Sequence, residues 1–217
     1  MRHVWKSIVA SCVAVALVAL PAPASANHEY DGMMPTANYD VICVDKAGPG
    51  LGEVCQTDNA NVYWYADGNS PGELEDNDLT ALRTMLNGQY GPTDLVLTYD
   101  SSPVFSGDAE TDIVYQESES GLPLPSGSVG AMWCNGAAPA FYECDQAYVR
   151  IESSDGYRRH GGSIACHETG HAVGLTHGYD ASPRISDEDN RLGCMENGAQ
   201  FPAALGAYSA HLINITY

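Results

Sequence analysis

Residues 167–177 read His-Glu-Thr-Gly-His-Ala-Val-Gly-Leu-Thr-His. His167 and His171 are four residues apart, close to one 3.6-residue turn, so on a helix both rings face one side. One metal ion can then touch both. Glu168 carries a carboxylate toward that side, where it can act as a general base. Gly174 accepts backbone angles that other residues resist. The turn it permits lets the chain leave the helix and bring back His177 as a third ligand. Three neutral imidazoles and a water make an open tetrahedral site, the coordination of catalytic rather than structural zinc. Five positions are specified within eleven residues, each with its own mechanical job. A polar helix with three solvated histidines would leave that spacing unexplained.

Such a site needs a helix to carry it and a framework to hold the helix. Ser163, after Gly161 and Gly162, is the expected N-cap. Ile164, Ala165, Ala172 and Val173 offer an apolar side. Thr169 and Gly170 are weak helix formers, so packing rather than propensity must hold this segment. Upstream, Leu79, Leu82, Leu86 and Tyr90 recur at three or four, which predicts an amphipathic backing helix within residues 74–90, ended by Gly88 and Gly91-Pro92. Strands are expected at 62–65, 95–99 (a buried one), 111–116, 129–134 and 146–151. Residues 118–128, rich in Ser, Gly and Pro, read as a loop. Residues 179–192 form a long polar loop, and 203–212 a C-terminal helix. The pattern predicts an α+β domain over 61–217, with no internal repeat or low-complexity tract.

His167, Glu168, His171, Gly174 and His177 match the motif of the metzincin clan of zinc endopeptidases. Met195, in Gly193-Cys194-Met195-Glu196-Asn197, resembles the clan's methionine turn, which lies beneath the zinc. Gly178, after the third histidine, matches none of the astacin, matrixin or reprolysin markers. The chain resembles small secreted bacterial metzincins such as snapalysin, although those carry Asp at the position of His177. The resemblance is specific over residues 160–200. It implies a twisted mixed sheet with an active-site helix, a backing helix and a C-terminal helix. It also implies an edge strand near the metal that pairs with substrate backbone, a role assigned to residues 129–133.

The first 26 residues have the form of an export signal: Arg2 and Lys6, an uncharged apolar run over 8–20, and Ala24-Ser25-Ala26 as a cleavage site. Residues 27–60 are polar and read as an N-terminal extension or short propeptide. They contain no cysteine switch of the matrixin kind. Against 28 acidic residues the chain has 9 Lys and Arg. Loss of Arg2 and Lys6 takes the net charge from −19 further negative, which argues against nucleic acid or an anionic membrane as partner. Of seven cysteines, Cys12 lies in the signal. Six remaining cysteines in an exported protein suggest three disulfides. Their connectivity is open on sequence, and proximity favours Cys43–Cys55, Cys134–Cys144 and Cys166–Cys194. Asp187-Glu188-Asp189-Asn190 is a candidate calcium patch.

The expectation is a secreted, monomeric, zinc-dependent endopeptidase acting on protein or peptide. Glu168 would be the catalytic base, His167, His171 and His177 the ligands, and Gly174 and Met195 their support. Tyr179 and Tyr208 are candidate oxyanion donors, while His28, His160 and His211 read as packing or surface residues. Two rivals remain open: a non-catalytic zinc-binding or adhesion module, which would not need Glu168, and a zinc amidase acting on cell-wall peptides.

Overall fold

The computed structural model describes residues 31–34, 43, 46, 48–49, 54–107, 109–137, 142–159, 162–197 and 204–217. The expected export signal, His28 and His160 lie outside the described residues, as does most of 27–60. Six strands form one mixed sheet: β1 (Gln56–Thr57), β2 (Asn61–Ala66), β3 (Val96–Tyr99), β4 (Ile113–Ser118), β5 (Gly130–Ala137) and β6 (Glu143–Glu152). Strands β3, β2, β4 and β6 lie side by side and parallel. β1 adds parallel pairing at the start of β6. β5 turns back antiparallel on the free side of β6, from Gly130 opposite Ile151 to Ala137 opposite Cys144. The Cys134–Cys144 disulfide closes that hairpin. Three α-helices complete the α+β domain: α1 (Asp76–Met85), α2 (Ser163–Ala172) and α3 (Ala207–Thr216).

Helix α1 follows its amphipathic pattern. Leu82 and Met85 are buried, and the chain continues through a wider π-helical turn, Leu86–Tyr90, that buries Leu86 and Tyr90 as well. The Gly91 N–H closes it on Leu86 O at 2.9 Å, and Pro92 follows. Helix α2 lies against β5, β6 and α1, and all ten of its residues are buried. The core thus gathers around this helix, with Val62, Ile113, Tyr115, Val149 and Ile151 supplied by the sheet.

Three sequence expectations need correction. Strand β3 is an exposed edge, with Val96 55% exposed, and the buried residue is Leu95 just ahead of it. An edge strand has one neighbour, so its apolar residues need not both be covered. Helix α3 begins four residues later than predicted. Residues 204–205 are drawn into pairing with the turn before Met195 instead: Cys194 N–H donates to Ala204 O at 2.8 Å, and Gly193 bridges Leu205. Ser163 is not the N-cap of α2. That place belongs to Gly162, whose φ of 88° is left-handed, a conformation that favours glycine. The Ser163 hydroxyl is buried inside the first turn with no hydrogen-bond partner among the described residues.

Candidate metal centre

Helix α2 brings His167 and His171 onto one side, and the turn after it returns His177. The Nε2 atoms of the three rings form a nearly equilateral triangle, with sides of 3.1, 3.1 and 3.0 Å. Gly174 makes the return possible. Its φ of 94° is left-handed, and a Cβ there would stand 2.6 Å from Gln56 Cβ.

The tautomers follow from the partners. His167 Nδ1 lies 2.7 Å from Cys194 O, and His171 Nδ1 lies 2.8 Å from Leu175 O. A carbonyl oxygen only accepts, so each Nδ1 carries the proton and each Nε2 presents its lone pair. Two such lone pairs 3.1 Å apart cannot hydrogen-bond to each other. Burial resists the alternative of charging the rings. It is the main cause that pushes His167 down to about 4 and His171 well below its usual value, with His177 lowered in the same way. A cation shared by the three nitrogens resolves the conflict. Three neutral nitrogens, two of them oriented by backbone carbonyls, are a donor set that suits zinc.

The support beneath this triangle is covalent and close-packed. The Cys166–Cys194 disulfide joins the residue before His167 to the residue before Met195, with Cα atoms 5.9 Å apart. Met195 is fully buried, and its sulfur lies where a Cβ on Gly170 would go. A glycine inside a helix costs about 1 kcal/mol relative to alanine; here it gives the methionine turn room to touch the helix backbone. The Tyr115 and Thr169 hydroxyls hydrogen-bond at 2.9 Å, and Tyr90 Oη, which also approaches Gly170, donates to Cys166 O at 2.5 Å. The other two disulfides join Cys43 to Cys55 and Cys134 to Cys144.

Glu168 is buried, and burial alone pushes its carboxyl up to about 8. A divalent cation nearby would act in the opposite direction. Its side chain faces Gly130 on β5: a Cβ at Gly130 would lie 2.7 Å from Glu168 Oε1. Gly130 therefore leaves space for the carboxylate at the edge of the sheet. Sequence reasoning passed over this residue, although an isolated glycine inside a strand pattern signals close approach. It also missed the segment at 31–34. Thr176 N–H and Oγ1 both donate to Gly32 O, at 2.7 and 2.9 Å. Met34 N–H donates to Gly174 O at 2.9 Å, and Asp31 and Ser182 exchange two backbone hydrogen bonds. These contacts clamp both sides of His177. The apolar pair Met33-Met34 in a polar stretch was the available signal, and both side chains are buried.

Tyr179 is exposed, with the Arg184 guanidinium 4.2 Å above its ring. Tyr208 and His211 sit half-buried on α3. The Asp187-Glu188-Asp189-Asn190 patch brings no three ligand atoms within 4.8 Å of one another. Asp187 accepts the Tyr179 N–H at 2.6 Å, and Asp189 pairs with Arg191, which holds its carboxyl down at about 2. A scan against protein-family models finds no match for the chain, and a search of curated proteins finds none either.

Proposed function

We propose that this chain is a secreted zinc-dependent endopeptidase of the metzincin type, with His167, His171 and His177 as ligands and Glu168 as general base. One observation carries most weight: three histidine Nε2 atoms converge to within 3.1 Å, and the residue next to the first of them, Glu168, buries its carboxylate. Zinc bound there would lower the pKa of a water and polarise the scissile carbonyl. Glu168 takes the proton from the attacking water and passes it to the leaving amine.

Substrate backbone fits the outer edge of β5 over its first residues from Gly130; further along, Lys46 N–H already donates to Cys134 O at 2.9 Å. An extended peptide can add there as a further strand. Gly130 would place such a peptide next to Glu168. The antiparallel edge strand, the backing helix α1, the methionine turn and the C-terminal helix α3 are consistent with the metzincin resemblance. Three disulfides fit an oxidising, extracellular compartment, and no helix among the described residues is long and apolar enough to cross a membrane.

The test is hydrolysis of casein by the purified, zinc-loaded chain, with and without chelator. Cleavage that chelator abolishes and zinc restores is the expected result. Stoichiometric zinc with no cleavage of casein or gelatin, yet with hydrolysis of cell-wall peptides, would move the assignment to an amidase. Zinc with neither activity would leave a binding module.

A further inference from the structure

A second group of ligand atoms lies outside the histidine triangle. Glu75 sits at the N-cap of α1, Asp78 in its first turn and Glu117 near the end of β4. One carboxylate oxygen from each lies within 4.8 Å of the others. Calcium oxygens stand about 2.3–2.6 Å from the ion, so one ion can reach all three. Asp78 and Glu117 are each only 1% exposed. Asp78 Oδ2 and Glu117 Oε2 are buried with no hydrogen-bond partner among the described residues. Buried carboxylate oxygens are costly unless paired or coordinated.

We propose that Glu75, Asp78 and Glu117 form a calcium site that pins the start of α1 to the end of β4. All-carboxylate oxygen donors select a hard cation. Magnesium demands near-ideal octahedral geometry and keeps its waters, which suits two buried carboxylates poorly. Arg158 donates to Asp78 Oδ1 at 2.8 Å and leaves Oδ2 without a partner among the described residues. Against three acids it supplies a single positive charge. Without an ion the group relies on a proton. Burial, together with the neighbouring Glu75 and Asp78 carboxylates, pushes the Glu117 carboxyl up to about 8.

The consequence is mechanical. Arg158 lies in the turn leading to α2, where Gly162 N–H donates to Arg159 O at 3.1 Å. A Cβ on Gly162 would stand 3.3 Å from Met85 Cβ of α1. An ion at the start of α1 thus braces the helix behind the histidines without touching them.

Calorimetric titration of the zinc-loaded full chain with calcium chloride, and separately with magnesium chloride, tests this. Calcium should bind with a tenfold or greater preference, and Tm should rise by about 5–10 °C at a hundredfold excess over Kd. Glu117→Gln, nearly the same shape as the protonated native side chain, should abolish that binding. Glu75→Gln, at an exposed position, should weaken it at least tenfold, while Asp187→Asn should leave it unchanged. A flat titration of the native chain would overturn the site, as would calcium affinity unaltered in both Glu117→Gln and Glu75→Gln. Neither result bears on casein cleavage by the histidine centre.

Discussion

Helices α1 and α2 are each ten residues long, yet they are built on opposite terms. α1 turns Leu82 and Met85 inward, with Asp78 the one buried polar residue beside them, and leaves most of its other residues in water, close to the ordinary arrangement for a surface helix. α2 buries every residue, including two histidines, a glutamate, two glycines counting its cap, and a threonine. Its own propensity is poor, and what holds it is a disulfide, a methionine in contact with its backbone, and tyrosine hydroxyls from α1's extension and β4. The lesson is that α2 is held in place by its surroundings rather than by its own propensity, and that its polar groups are kept out of water by the same packing.

Removing chemistry from α2 should have the largest effect. Glu168→Gln is expected to lower kcat by roughly 10²–10⁴ while zinc content, measured by elemental analysis, stays at one per chain. Undiminished turnover would remove Glu168 from the mechanism. The comparison also has a pH signature. His167 is held below its unfolded value, so the metal-free unfolded chain binds more protons between about pH 6.5 and 4. Stability conferred by the neutral ring is therefore complete above about 6.5 and lost as pH falls through about 4. The loss should be on the order of 3 kcal/mol, read by denaturant unfolding of apoprotein, and a flat profile would contradict it.

Paired glycine substitutions sharpen the contrast. Gly170→Ala drives a methyl into Met195 and should cost about 1–3 kcal/mol. Gly88→Ala, just past α1, meets nothing within 4 Å and should be neutral or stabilising by up to about 1 kcal/mol. Equal effects on Tm would mean the two helices are not held differently. Gly130→Ala is the subtlest: it should displace the Glu168 carboxylate and reduce kcat about tenfold, with Tm and zinc content nearly unchanged.

The ligand set was legible because it is local. Spacing along a helix and one glycine turn suffice to bring His167, His171 and His177 together. The disulfides could be paired from proximity because each closes a short segment. Strands β2 to β6 were found within a few residues by their apolar runs, whereas the two-residue β1 lies in a stretch read as an N-terminal extension; periodicity alone did not reveal which strand lay at an edge, so β3 was expected to be buried. The clamp on His177 was hidden for a different reason. Gly32 and Thr176 are separated by 144 residues and meet at the backbone carbonyl of Gly32, a group every residue type carries. Gly130 signalled a close approach, but which group approaches depends on packing across space. Helix α3 began late because residues 204–205 pair with the methionine turn, a tertiary preference no local pattern encodes.

The central claim is a single divalent ion shared by three imidazoles. Zinc-edge X-ray absorption on the purified chain reads it directly. Three nitrogen neighbours at about 2.0–2.1 Å with imidazole scattering, one lost in His177→Ala, is the predicted result. Absence of bound zinc, or a shell dominated by sulfur at about 2.3 Å, would contradict it.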